Sequence, residues 1–151
     1  MSTRAPFIPP LALAILLSLI AFGLSWLHWV PLPNIPVFLA LLFCLSGAII
    51  ILLAFIQFRR HQTSVHPMNF TRTTTLLASG VFGWSRNPIY LGMLIFMIGL
   101  AVWCADGLAF IPCAVFFIWI NTWQIAVEEY YLERQFGADY THYCKKVRRW
   151  L

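Results

Sequence analysis

Four long stretches of this chain carry no Lys, Arg, Asp or Glu: residues 11–30, 35–58, 89–105 and 107–127. Helix is the form expected of them, because lipid cannot satisfy open backbone groups. Each is near the ~20 residues that let a helix rising ~1.5 Å per residue cross a ~30 Å hydrocarbon layer. The third is the shortest, and Pro88 extends it, because proline is accommodated in the first helical turn. The pattern predicts an all-α integral membrane protein with four transmembrane helices, spanning about 11–30, 35–58, 88–105 and 107–127. Residues 1–151 form one domain. Trp26, His28 and Trp29 read as an interfacial belt closing the first span, which is longer than the apolar core of a signal peptide.

The connections differ in kind. "PLPN" at 31–34 and "ADG" at 105–107 are tight turns, and the second predicts a close hairpin of spans three and four. The segment 59–87 and the tail after Val127 are longer and rich in aromatic residues. In the tail, "VEEYYLERQF" predicts a helix broken at Gly137. "ADYTHYCKKV" predicts a second, amphipathic one, with Tyr140, Tyr143 and Val147 on one side.

Composition sharpens this reading. Of 151 residues, 61% are apolar and 10% charged, against roughly half and a quarter in a soluble domain. All ten Lys and Arg residues fall in the N-terminal tail, the segment between runs two and three, or the C-terminal tail. By the positive-inside rule those segments face the cytoplasm, with both termini there, in a bacterial inner membrane. The net charge of +5 then serves anionic lipid at the membrane surface and calls for no nucleic acid. Cys44, Cys104, Cys113 and Cys144 form no CxxC pair and have no histidine at ligand spacing, which argues against a metal site.

The chemistry concentrates on that same face. Glu128 and Glu129 end an apolar run, where carboxylates are costly unless paired or serving a site. Arg86 lies at similar depth. Two readings stand side by side: an Arg86–glutamate ion pair that ties the hairpin, or a carboxylate that grips a ligand.

"LASGVFGWSRNPIYLGM" followed by "EEYYLERQFGADYTHYCKKVRRW" resembles the isoprenylcysteine carboxyl methyltransferases and their phospholipid N-methyltransferase relatives. The resemblance rests on Gly80, Phe82, Arg86, Asn87, Pro88, Tyr90 and Gly92, then on Glu128, Glu129, Leu132, Phe136, Gly137, Tyr140, Tyr143 and Val147. It covers about residues 59–151. The chain departs at Thr74, Ala78, Asn87 and Arg148, where many relatives carry His, Thr, His and Pro. These departures bear on the acceptor more than on the cofactor.

The resemblance implies S-adenosylmethionine bound in the C-terminal half, about residues 70–151. Asn87, Pro88, Tyr90, Gly92, Glu128, Glu129, Tyr140, Tyr143 and Trp150 then line the cofactor, with Gly92 thinning the helix wall for adenine or for a neighbouring helix. Arg86, Glu129 and Arg149 carry the chemistry: a glutamate for the cofactor or as a base, an arginine for an acceptor carboxylate or phosphate. The acceptor is lipophilic, either a prenylated thiol acid or a phospholipid amine, and enters from the bilayer. The competing expectations are a nicotinamide-dependent reductase of the sterol-reductase type and a non-catalytic membrane scaffold.

Overall fold

A computed structural model describes residues 8–33, 35–60 and 76–151. Arg4, Asn34, Phe70, Arg72 and Thr74, which entered the sequence argument, fall outside the described residues. The described chain is helical: α1 Pro10–Ser25, α2 Val37–Arg60, α3 Pro88–Cys104, α4 Ile111–Trp119, α5 Ile125–Phe136 and α6 Ala138–Lys146. A π turn, Ile120–Gln124, joins α4 to α5. With the short 3-10 turn Gly107–Phe110 they make one continuous rod, Gly107–Phe136.

The expectation of four spans is corrected. Among the described residues, two helices are long and apolar enough to cross a membrane, Val37–Arg60 and the Gly107–Phe136 rod; Pro10–Ser25 and Pro88–Cys104 are apolar but shorter. The physical reason is clearest in α1. Its run of apolar residues continues to Val30, but the helix stops at Ser25. There the Ser25 hydroxyl donates back to the Phe22 carbonyl at 2.7 Å, the Trp26 N–H turns to the Gly23 carbonyl, and His28 takes a left-handed backbone with φ +50°. Residues 30–32 are then claimed by the other turn. Pro31 bridges Asp106, Leu32 N–H donates to the Ala105 carbonyl and Gly107 N–H to the Val30 carbonyl. The Asp106 carboxylate is fully buried and accepts from the Leu108 and Val30 amides. This stitch fixes one end of the molecule. Arg60, Pro88 and the tail lie at the other.

The packing is inverted relative to a soluble bundle. On α2 the buried residues are the small ones, Ala40, Gly47 and Ala54, while Phe38, Leu45 and Leu52 stay well exposed. Large side chains outward and small ones at helix contacts suit an apolar solvent, in which close backbone approach is the main gain. The surface is that of a membrane-associated protein.

The sequence also paired α3 tightly with the rod. Instead α3 lies closest to α2, and α1 wedges between α3 and the rod. Leu13, Ala14, Leu17 and Ala21 of α1 join Tyr90, Met97 and Ala101 of α3 and Phe116, Ile120 and Ile125 of the rod in the main core. The approach of α2 and α3 needs glycine on both sides. A Cβ on Gly47 would lie 2.5 Å from the Gly92 carbonyl oxygen, and one on Gly92 would lie 2.7 Å from that of Gly47.

Gly92→Ala should therefore force two backbones apart and cost about 1–3 kcal/mol. Gly23→Ala is the control: it lies in α1 with nothing within 4 Å of the added carbon, and should gain about 0.5–1 kcal/mol from helix propensity. Thermal unfolding of the two variants in one detergent checks this. Equal midpoints would show that the α2–α3 contact is not tight.

Candidate functional site

The end of the bundle opposite Asp106 is built from three pieces: the turn before α3, the middle of the rod and the last residues of the tail. Pro88 occupies the first turn of α3 as the sequence predicts, with Asn87 at the cap position. The Asn87 carboxamide does not cap its own helix. Its Nδ2 donates instead to the Arg149 carbonyl at 3.0 Å. Beside it the Ser85 hydroxyl reaches the same carbonyl at 3.4 Å, and the Arg86 N–H donates to the Arg148 carbonyl at 3.0 Å. Segment 85–87 thus holds the tail by its backbone. Upstream, Gly80 sits at φ +58° against the Gln57 side chain, whose Nε2 donates to the Ser79 carbonyl at 3.0 Å. That crowding and that backbone together require a glycine.

The rod does not stop at the glutamates. The helix continues through Glu128 and Glu129 to Phe136, where Gly137 at φ +51° breaks it. This removes the helix-end penalty that a carboxylate at 128 or 129 would otherwise meet. The two glutamates face different neighbours. Glu128 is turned inward, accepting from the Tyr90 hydroxyl and, at 2.7 Å, from Gln124 Nε2. Glu129 faces the tail. Arg149 donates to it through Nε at 3.1 Å and Nη2 at 2.5 Å. Arg86 Nη2 lies 3.2 Å from Oε1, the oxygen that also takes Arg149 Nε. Of the two readings of the sequence, the Arg86–glutamate ion pair is present, and it joins Arg149 as well.

Two guanidiniums on one carboxylate leave the cluster one positive charge in excess. It is only partly exposed: the side chains of Arg86, Glu129 and Arg149 keep 15%, 21% and 35% of their accessible surface. Arg86 Nη1 also donates to the Tyr140 hydroxyl at 3.4 Å and to Cys144 Sγ. Its Nε is buried and has no partner.

The tail packs rather than floats. Tyr140, Tyr143 and Val147 form a buried cluster against Leu76, Leu132 and Phe136, and the Tyr143 hydroxyl donates to the Phe82 carbonyl at 2.6 Å. Burial raises the pKa of both phenols, and the Glu129 carboxylate raises Tyr140 further. Both stay protonated at physiological pH. The Trp150 ring packs at a tilt of 37° against Phe117 with centroids 4.9 Å apart, and its indole N–H donates to Asn121 Oδ1 at 3.1 Å.

Of the residues proposed from sequence, Arg86, Asn87, Glu129, Tyr140, Arg149 and Trp150 meet in this region. Tyr90 and Glu128 pair behind it. Gly92 faces α2, the neighbouring-helix alternative, and Pro88 acts through the helix start. Sequence reasoning missed Ser85, Asn121 and Gln124. The available signal was "INTWQ" at 120–124, three polar residues set inside an apolar run.

Fold and site together define a class first: a helical, membrane-associated protein in which Arg86, Glu129 and Arg149 gather at one end beneath a C-terminal strap. The model of the phospholipid methyltransferase family matches residues 35–139. Protein-S-isoprenylcysteine O-methyltransferase A of Arabidopsis thaliana is 31% identical over 144 residues, covering 90% of this chain and 70% of that protein. The Saccharomyces cerevisiae protein-S-isoprenylcysteine O-methyltransferase is 37% identical over 73 residues, 48% of this chain and 30% of that one. An uncharacterized Haemophilus influenzae protein is 43% identical over 63 residues, 42% of this chain and 100% of its own length. No solved structure gives a significant match. The chain belongs to the phospholipid methyltransferase family, which it enters with isoprenylcysteine methyltransferases as relatives.

If the Arg149 fork holds the tail, a point charge should not replace it. Lysine lacks the planar pair of donors that grips both carboxylate oxygens. Arg149→Lys should speed amide hydrogen exchange of residues 145–151 by at least about tenfold, the worth of one charge-assisted bond. Unchanged protection would place the hold elsewhere.

Proposed function

We propose that this protein transfers a methyl group from S-adenosylmethionine to a lipophilic acceptor at the Arg86–Glu129–Arg149 end of the bundle. Its family supports methyl transfer. The observation that carries the site is the ionic cluster itself, where two guanidiniums converge on one carboxylate at the edge of an apolar-surfaced bundle. The residues suit the cofactor. It bears a carboxylate, an ammonium and ribose hydroxyls, and the cluster offers an excess guanidinium charge, a carboxylate and the unpartnered Arg86 Nε. The cofactor supplies an electrophilic methyl on a sulfonium.

The chain's own groups then divide the work. Glu129 takes the cofactor's ammonium or ribose hydroxyls. Arg86 and Arg149 hold an anionic group of cofactor or acceptor. Trp150 offers a ring face near the sulfonium. Residues 138–151 close over the site and exclude water. Alignment of acceptor and methyl is the main contribution asked of the protein, and such alignment supplies up to ~7–11 kcal/mol. A carboxylate acceptor needs orientation alone. An amine acceptor must first give up its proton, for which the Glu129 carboxylate is the candidate base.

The basic residues described in the structure gather at this end, while the Pro31–Asp106 end has none. On the positive-inside rule the site faces the cytoplasm, the acceptor's apolar part stays in the bilayer, and the membrane is a bacterial inner membrane.

Glu129→Gln should weaken binding of S-adenosylhomocysteine, measured by calorimetry on detergent-purified protein, by roughly tenfold or more. Unchanged affinity removes Glu129 from the cofactor. Tight NADPH binding in place of S-adenosylhomocysteine by the unaltered protein would favour the reductase reading instead.

Sidedness is checked separately, in a background with the four native cysteines replaced. A cysteine at Trp29, exposed near the Pro31–Asp106 end, should react with an impermeant maleimide from outside intact cells. One at Arg60 should react only after lysis. The reverse pattern would put the site on the outer face.

A further inference from the structure

The π turn sits where an uninterrupted helix would have given the tail the wrong glutamate. In a regular α-helix, at ~100° per residue, Asn121 and Glu128 lie seven residues and thus ~20° apart, on one face, whereas Glu129 lies ~80° away. Within Ile120–Gln124 the bonding changes to i→i+5, with the Ile125 N–H donating to the Ile120 carbonyl. One extra residue is taken up in that turn, and the register slips by ~100°. Asn121 then falls in line with Glu129, and Glu128 is carried round to Tyr90.

The contacts agree with this arithmetic. A single guanidinium spans the two aligned residues: Arg149 Nη1 donates to Asn121 Oδ1 at 3.1 Å, and Nη2 donates to Glu129 at 2.5 Å. The same amide oxygen accepts the Trp150 indole N–H at 3.1 Å. Asn121 therefore touches both side chains that end the strap. Its oxygen has two donors on it, one of them charged, and it is the far anchor that sets the angle at which Arg149 meets the carboxylate.

We infer that Asn121, brought into register by the π turn, is a positioning residue that holds Arg149 and Trp150 so that the tail closes on Glu129. Resting on the proposed cofactor site, this makes Asn121 a determinant of cofactor affinity that acts through Arg149. The role requires an acceptor at that position and no donor. Aspartate supplies an acceptor of the same shape and alanine does not.

The test compares Asn121→Ala and Asn121→Asp with the unaltered protein in detergent. Two readouts are taken: tryptic cleavage at Lys145, Lys146 and Arg148, and calorimetric binding of S-adenosylhomocysteine. Asn121→Ala should cleave at least about tenfold faster in the tail and bind about tenfold or more weakly, while Asn121→Asp, which keeps the acceptor, retains the slow tail cleavage. Tail cleavage unchanged in Asn121→Ala overturns the inference. So does an Asn121→Asp variant as loose as Asn121→Ala, because that outcome assigns Asn121 to packing or to its donor side. If the unaltered protein binds no S-adenosylhomocysteine, the cofactor reading fails, and the cleavage pattern alone still decides the role of Asn121.

Discussion

The Glu129 carboxylate ties together three parts of the chain that are far apart in sequence: the turn before α3, the rod and the last residues of the tail. Arg149 grips both of its oxygens, and Arg86 shares one of them. At the edge of an apolar bundle each of these charges would be costly alone. Their mutual pairing is what makes burying most of their surface tolerable. The tail backbone follows, because once Arg149 is held, its carbonyl and that of Arg148 meet Asn87, Ser85 and Arg86. The tyrosine cluster of α6 then has a surface to pack on.

The rest of the bundle obeys a different constraint. Bulky side chains gain little from mutual burial when the surroundings are as apolar as they are, so helix contacts are decided by how closely backbones approach. That is why α2 buries alanine and glycine and exposes phenylalanine and leucine. It is also why α3 chooses α2, which offers Gly47 opposite Gly92, over the rod to which the Asp106 turn joins it. Polar pairing is reserved for the two ends. Asp106 closes one, and the Glu129 cluster assembles the other.

Adjacent glutamates end up with separate environments. Glu128 looks into the bundle at Tyr90 and Gln124, and Glu129 looks out at two arginines. Neighbouring helix positions diverge by ~100° in any helix. Which glutamate goes which way is set by the π turn one to two helical turns earlier. A one-residue change of register there therefore carries more consequence than its size suggests, since it selects the carboxylate presented to the strap.

Several features were legible in the sequence because they are local. Uninterrupted apolar runs specify helix, Pro88 specifies where α3 begins, Gly137 specifies where the rod breaks, and the spacing of Tyr140, Tyr143 and Val147 specifies the buried side of α6. The motif residues marked out the region where Arg86, Glu129 and Arg149 meet. What the chain alone could not show depends on partners distant in sequence. A count of apolar residues carried the first helix to residue 30, but Ser25 and the bonds from residues 30–32 to the Asp106 turn stop it earlier; with α3 also short, two helices of spanning length remain among the described residues. The same count passed over Asn121: "INTWQ" shows polar residues inside an apolar run, but polarity alone does not reveal a turn of i→i+5 bonding. Tertiary structure decided that register, and with it which glutamate meets the strap: the π turn brings Asn121 and Glu129 into line, and one arginine from the far end of the chain binds both.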